Sequence, residues 1–402
     1  MKLYQGTNDD IQNDLNTSDW GQFRSILPLD KLRLLNFYIV EEVYNILFKN
    51  FLAAFDPNID SEFDITASSL YGSPVRELGK GSFGKVFLWE KFNSKDPKNN
   101  NFFAVKSIKI NNKKFFLKNE CKRVFREFLI CYNLQNDSIV KVYDLLVGPY
   151  HDEFLLIQEY IPGISLKEAI PVEKLFYLPK FCDYIFKQIV ILVKFLHDHD
   201  IGHNDLKPAN IILNLQNFSI KLVDFGLSRF LSEFLDNDLE SSLLKSGTSR
   251  YLPPELNYPS LNYYRNDLSI KRIIKSKDTW CLGLIYYNMV SKGNSLWEIS
   301  HPSDIKFNDY KERNFIPKFH SIIDYLNNLA DSDLDETVNA SRRIMFYGML
   351  HLHNNKRVPI EYILDSYWFQ KIPNQLLLNE KDFQICDDLS KLFEFDDHND
   401  SS

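Results

Sequence analysis

Residues 201 to 226 of the 402-residue chain hold two acids, an amide and a lysine at spacings that suit one kind of chemistry. Asp205 has Lys207 two positions on and Asn210 five positions on, within the run His203-Asn204-Asp205-Leu206-Lys207-Pro208-Ala209-Asn210. An apolar-rich stretch follows, and then Asp224-Phe225-Gly226. Two acids and one amide in ordered loops suit metal–phosphate chemistry: a base for a hydroxyl, and hard oxygen ligands for magnesium. Two solvated loops could carry the same letters, and Asp-Phe-Gly alone arises by chance. The fixed interval of fourteen residues from Asn210 to Asp224 gives the pair its weight.

The elements that must position these residues show as periodicities. Ile220 to Val223 is a strand-like run that delivers Asp224. Phe181 to His199 repeats apolar residues at helical spacing (Ile185, Ile189, Leu192, Val193, Leu196) and leads into the loop of Asp205. Upstream, Gly79-Lys80-Gly81-Ser82-Phe83-Gly84-Lys85-Val86 lies between two strand-like runs, Ser73–Leu78 and Val86–Glu90. Glycines let a backbone approach phosphates closely with its N–H groups turned toward them. A bare G-x-G-x-x-G also fits a dinucleotide fold, but that fold needs a helix after the last glycine, and here a strand continues. Further on, Phe102-Phe103-Ala104-Val105-Lys106 reads as a strand that presents a lysine. The region between Lys113 and Leu134 reads as a helix with Phe125, Phe128, Leu129 and Tyr132 on one side.

Taken in order, these segments resemble the eukaryotic protein kinase family, of serine/threonine type, over residues 72–370, about three-quarters of the chain. The resemblance implies an α+β, bilobal fold with a small β-rich N-lobe (72–160) and a larger α-helical C-lobe (161–370). It implies transfer of the ATP γ-phosphoryl group to Ser/Thr hydroxyls of protein substrates, with ATP and Mg²⁺ as cofactors. Asp205 would accept the hydroxyl proton and Lys207 would neutralise the moving phosphoryl group. Asn210 and Asp224 would hold the metal. Lys106 would grip the phosphates, braced by Glu127, with Glu120 as the rival acid. Gly79, Lys80, Gly81, Ser82, Phe83 and Gly84 would cover the phosphates. The backbone of Glu159 and Ile161 would bind adenine, and Val86, Ala104 and Ile212 would sandwich the ring. Gln158 takes a place where many members carry an apolar residue. Ser246 to Glu255 resembles the end of the activation segment, with Thr248 positioning substrate, and Arg357 would pair with Glu255. Asp278, in Asp278-Thr-Trp280-Cys-Leu-Gly283, would cap a helix and brace the catalytic loop.

Three places need comment. The family usually has Arg where this chain has Asn204, and that Arg commonly receives an activation-loop phosphate. Asn cannot form such a charge-assisted bidentate pair, so activity is expected not to depend on phosphorylation through this contact. Ser165 and Ala209 stand where arginine-directed members often carry acids, so no strong preference for Arg two or three residues before the acceptor is expected. Tyr258 to Lys277 is longer than the family's usual connection. It holds Lys271, Arg272, Lys275 and Lys277, and reads as a solvated loop or a docking surface.

Composition bounds the rest. Hydrophobic content of 44% supports a sizeable core. Net charge is −7, which does not indicate nucleic-acid binding. The charge is uneven: residues 1–70 carry −6 and residues 371–402 carry −5, leaving +4 on the middle. Residues 1–28 read as a disordered acidic N-terminus and 371–402 as an acidic tail. Residues 29–71 read as a helical extension, with Leu32, Leu35, Ile39, Val43, Ile46, Leu47 and Leu52 at helical steps. That extension either docks on the catalytic domain or binds a regulatory partner. The five cysteines form no C-x-x-C pair, which points to a reducing compartment. No signal peptide or membrane span is expected, and a signalling role in the cytoplasm, or alternatively the nucleus, follows from the resemblance. Abundant Asn, Lys, Ile and Phe hint at an AT-rich, fungal-looking genome. The competing function is a catalytically weak kinase-fold scaffold that binds protein partners; the retained Lys106, Asp205, Asn210 and Asp224 argue against it.

Overall fold

The computed structural model describes residues 67–81, 84–93, 101–109, 114–147, 153–171, 176, 178–231, 246–257, 270–312 and 335–376. The acidic N-terminus (1–28), most of the expected helical extension (29–71) and most of the acidic tail lie outside them. The chain divides into two compact units, breaking after Ile161.

In the first unit, α1 (Ala67–Tyr71) leads into β1 (Ser73–Gly81), β2 (Gly84–Lys91) and β3 (Asn101–Lys109). Helix α2 (Lys114–Asn133) precedes β4 (Val142–Val147) and β5 (Glu153–Glu159). The five strands form an antiparallel sheet in the order β1-β2-β3-β5-β4. Side chains alternate across a strand. Val105 therefore joins Trp89, Leu155 and Ile157 in a cluster on one face, while Ala104 and Lys106 point to the other. Ala67 and Tyr71 of α1 pack on that cluster. The Tyr71 hydroxyl donates to Asp144 Oδ2 at 3.1 Å. Burial first, and the Asp144 charge second, push the Tyr71 hydroxyl well above its usual pKa. Helix α2 buries Val124, Phe125, Phe128, Leu129 and Ile130 almost completely.

The second unit is mainly helical. Short strands β6 (Ile164–Ser165), β8 (Ile211–Leu213) and β9 (Ile220–Leu222) make one small sheet, and β7 (Ile201–Gly202) pairs with β10 (Arg229–Phe230) in another. The helices are α3 (Leu166–Ala169), α4 (Pro179–Asp198), α5 (Pro254–Asn257), α6 (Ile270–Val290), α7 (Ile305–Glu312), α8 (Glu336–Met349), α9 (Ile360–Leu364) and α10 (Tyr367–Lys371). Helix α4 starts with Pro at its first position, where a missing N–H costs nothing. Its apolar stripe (Phe181, Ile185, Ile189, Val193, Leu196) is buried. Each such side chain contributes about 1.5–3 kcal/mol when fully buried. A sheet-rich first unit and a helical second unit make the α+β class that the resemblance implies.

Two polar centres stitch this core. Asp183 of α4 is buried and accepts from the Tyr286 hydroxyl at 2.7 Å and from Trp368 Nε1 at 3.0 Å. The rings around it close the gap: Phe186 stacks on Trp368 at 5.6 Å and meets Tyr286 at 4.8 Å. Arg357 makes a bidentate pair with Glu255 at 2.8 and 3.1 Å. Its guanidinium lies 4.8 Å from the centre of the Trp280 ring, and the same group donates to the Ser276 carbonyl.

Two sequence expectations change. Helix α6 begins at Ile270, so Asp278 lies inside a helix and does not cap one. The same fact removes residues 270–277 from the expected solvated loop. Ile273, Ile274 and Lys277 are buried, and the two isoleucines pack with Leu231, Leu252 and Leu256.

Asp183 supplies the acceptor for two buried donors on distant helices. Asp183→Ala is expected to lower the denaturation midpoint, at about 1–3 kcal/mol for each donor left unpaired. Urea unfolding followed by tryptophan fluorescence checks this; an unchanged midpoint would refute it.

Candidate active site

The site residues fall into two groups, one in each unit. In the first unit, β1 and β2 close a hairpin in which Gly81 faces Gly84, Lys80 faces Lys85 and Gly79 faces Val86. Gly84 has φ +159°, and a Cβ there would stand 2.0 Å from the Ser107 carbonyl oxygen, so glycine is required for β2 to lie against β3. At Gly79 no described atom lies within 4 Å of where a Cβ would be. Ser82 and Phe83, at the tip, lie outside the described residues.

Lys106 and Glu127 meet on the inner face of the sheet, Nζ to Oε1, at 2.6 Å. Glu127 is 0% exposed. Taking both charges out of water costs several kcal/mol per ion, and only close pairing repays it. Strand alternation aims Lys106 to this face, and the helical spacing of α2 brings Glu127 beneath it; Glu120 is not the residue that the structure pairs with Lys106. Val86 stands opposite Lys106, and Ala104 opposite Gln158, in the sheet register. The Glu159 N–H donates to the Lys141 carbonyl at 2.9 Å, so any contact of Glu159 with a base is through its carbonyl. Ile161 ends this unit.

In the second unit Asp205, Lys207, Asn210 and Thr248 form one hydrogen-bonded group. Lys207 Nζ donates to Asp205 Oδ2 at 2.6 Å and to Thr248 Oγ1 at 2.8 Å. Thr248 donates its N–H and its hydroxyl to Asp205 Oδ1, at 3.0 and 3.1 Å. Asn210 Nδ2 donates to the Asp205 carbonyl at 2.9 Å and to Oδ2 at 3.3 Å. Its amide oxygen is thereby turned away from Asp205. Asn210 closes the 3₁₀ turn Pro208–Asn210, and its carbonyl accepts from the Val223 N–H at 2.9 Å. That bond ties the loop to the strand end carrying Asp224. Asp224 holds φ +61°, uncommon for a residue other than glycine and a mark of functional sites. Ile212 is half-buried on β8.

Behind this group sits Asp278. It accepts from His203 N at 2.9 Å, Asn204 N at 3.0 Å and His197 Nε2 at 3.0 Å. Burial alone would raise its pKa, but the His197 hydrogen bond, with the bonds and charge from His203, holds the carboxyl below the usual range. Asn204 takes φ +66°, which asparagine tolerates better than most residues. Its side-chain oxygen is buried, with no donor among the described residues. His203 packs edge-on to Phe225 at 5.0 Å, and burial lowers its pKa despite the nearby acids Asp278, Asp205 and Asp224.

Sequence reasoning missed one residue here. The sequence reads Lys277 as part of a solvated loop or a docking surface, yet it is 0% exposed and donates from Nζ to the Ser246 carbonyl at 2.7 Å. Its position next to Asp278 was the available signal. Ser165 caps α3 in a capping box with Glu168.

Comparison with known proteins bears on this arrangement. The family model described as the protein kinase domain matches residues 73–369. A probable serine/threonine-protein kinase HAL5-like of Eremothecium gossypii is 26% identical over 327 residues, covering 75% of this chain and 45% of that protein. The serine/threonine-protein kinase hal4 of Schizosaccharomyces pombe is 24% identical over 306 residues, covering 75% and 44%. A probable serine/threonine-protein kinase of Dictyostelium discoideum is 30% identical over 237 residues, covering 56% and 31%. The chain thus matches less than half the length of these curated relatives.

Removing the Asp278 carboxylate strips the acceptor from two loop amides. In Asp278→Ala, hydrogen exchange at His203 and Asn204 is expected to quicken by about tenfold or more. Because its pKa is lowered on folding, the carboxylate's stabilisation is fully present above the usual value near 3.8 and is lost as pH falls through the lowered one. Exchange at these amides unchanged by the substitution would show that the loop does not rest on Asp278.

Proposed function

The chain belongs to the protein kinase domain family, and from that premise we propose that it transfers the γ-phosphoryl group of ATP to serine and threonine hydroxyls of proteins. The observation that carries the reading is the group formed by Asp205, Lys207 and Thr248, in which a carboxylate, an ammonium and a hydroxyl are held within 2.6 to 3.1 Å of one another.

Each residue then has a part. Asp205 receives the proton of the attacking hydroxyl; its lysine partner, 2.6 Å away, keeps it aimed. Lys207 lies where it meets the charge that grows on the transferring group. Thr248, latched to both, sets the segment on which a peptide lies. Lys106, fixed by Glu127, presents its ammonium to the α and β phosphates, and the backbone from Gly79 to Gly84 covers them. The Glu159 carbonyl and the Ile161 amide meet the adenine edge, with Val86, Ala104 and Ile212 against its faces. Asn210 and Asp224 fit a magnesium ion: the Asn210 amide nitrogen is engaged by Asp205, so the chain offers an amide oxygen and a carboxylate, both hard donors. When bound, the metal supplies charge neutralisation on the phosphates.

We take residues 72–370 as the catalytic domain, with lobes 72–160 and 161–370 and with the extension 29–71 and the acidic ends outside it. A regulatory partner on the extension remains part of this reading. Cys182 and Cys281 are buried free thiols, in keeping with signalling work in the cytoplasm or nucleus. Among the described residues no helix is long and apolar enough to cross a membrane.

Transfer of labelled phosphate from Mg-ATP to a generic protein substrate tests the reading. Asp224→Asn is expected to lower it by about 10²-fold or more, the scale for losing one charge-stabilising group. ATP-induced thermal stabilisation without transfer would favour the scaffold; neither signal would reject the site. Substrate choice gives a second test. Because Ser165 is spent on a helix cap and Ala209 is apolar, a peptide array is expected to show no strong preference for Arg two or three residues before the acceptor. A strong preference would contradict it.

A further inference from the structure

Helix α6 carries two consecutive buried charges that reach in different directions. Asp278 collects the backbone of the catalytic loop at His203 and Asn204. Lys277 reaches the segment before Thr248, at the Ser246 carbonyl, at 2.7 Å. Ser246 is two residues before Thr248, which latches Asp205 through its N–H and hydroxyl. Between them Gly247 adopts φ +127°, and a Cβ there would stand 3.2 Å from the Asn204 carbonyl oxygen and 3.5 Å from Lys277 Nζ. The segment therefore passes close over the catalytic loop, and a lysine holds it there.

We propose that Lys277 is a positioning residue for phosphoryl transfer: its ammonium fixes the Ser246–Thr248 arm against the catalytic loop and so sets the Thr248–Asp205 latch without a phosphate. The inference rests on the kinase reading and deepens it. A lysine so fully buried loses its hydration, which is costly unless the amine serves a bond that matters. Its surroundings are mixed. Asp278 and Cys281 face it from its own helix, Asp205 from the catalytic loop, and the Arg229 guanidinium from β10, while burial draws its pKa down. Asn204 adds a second argument. Where a cation is expected beside the activation segment, this chain has a buried amide with an oxygen that no described donor meets. Asn204 supplies no charge there, and Lys277 does. The chain thus carries in its own sequence a tie that an added phosphate would otherwise have to make.

The test uses the full chain, treated with phosphatase and checked by mass spectrometry, with Asp205→Asn as the inactive control. Wild type is expected to keep its activity after the treatment to within about twofold. Lys277→Met, of similar length and without charge or donor, is expected to lose about tenfold or more in kcat on a protein substrate, with KM for ATP nearly unchanged. Lys277→Gln, which keeps a donor, is expected to recover part of that loss. Both variants are expected to stay folded at the assay temperature, as their thermal midpoints check, because Asp278 keeps its donors from His197, His203 and Asn204 in either one. Lys277→Met with wild-type kcat would overturn the inference while leaving the kinase reading intact. So would variants that fail to fold, since they would assign Lys277 to the core. A wild type that loses its activity on phosphatase treatment would overturn it as well, pointing to a phosphate on the Arg229 side. Wild type no better than Asp205→Asn under any condition would reject the kinase reading, and this inference with it.

Discussion

The second unit depends on a carboxylate that has no access to water. Asp278 sits in the middle of α6, and three donors converge on it from α4 and from the loop that follows β7. An unpaired carboxylate at such depth would be untenable, so the three bonds are obligatory. In meeting them the chain fixes two successive amides, His203 and Asn204. Asp205 comes next, and its own N–H turns back to His203 Nδ1 at 3.3 Å. The position of Asp205 is therefore set from behind, by the backbone, before any of its side-chain partners is counted. Its front is then closed by Lys207, Asn210 and Thr248.

The same device recurs. Lys106–Glu127 in the first unit and Glu255–Arg357 in the second are buried ion pairs with close geometry. Neither is good evidence for stability, since apolar residues of the same volume would often do as well. What such pairs provide is direction. Glu127 keeps a flexible lysine aimed along one face of a sheet. Arg357 joins Glu255 of α5 to the second turn of α6 through the Ser276 carbonyl. The polar interior follows the site, and the apolar interior of α4 and α2 follows the fold.

That division explains what could be read from the sequence. Helix α4 and strand β3 are local patterns: an apolar stripe at helical spacing and an alternating strand determine themselves within twenty residues. The loop of Asp205, the Asp-Phe-Gly run and the glycine hairpin were legible because their chemistry depends on short, fixed spacings. The failures involve partners far apart. Asp183 meets Trp368 across 185 positions, and Tyr71 meets Asp144 across 73. Nothing local marks either pair. The run Ile270 to Lys277 misled for a different reason. Its lysines and arginine read as a solvated stretch, whereas its isoleucines already carried the helical spacing that extends α6 by two turns.

Asn204 shows how conformation and charge are decided separately at one position. Its backbone must present an N–H to Asp278 while the chain reverses toward Asp205, and this requires φ near +66°. Asparagine reaches the left-handed region at less cost than a longer side chain does, so the substitution suits the backbone. It leaves the activation segment without the charge that an arginine would give. An ammonium does reach that segment at the Ser246 carbonyl, from Lys277, one residue before the acid that holds Asn204 itself. One turn of α6 thus fastens the loop of Asp205 by an anion and the Ser246–Thr248 arm by a cation. The opposite charges of these neighbours lessen the burden of burying either, which a lone lysine at this depth would have to bear alone.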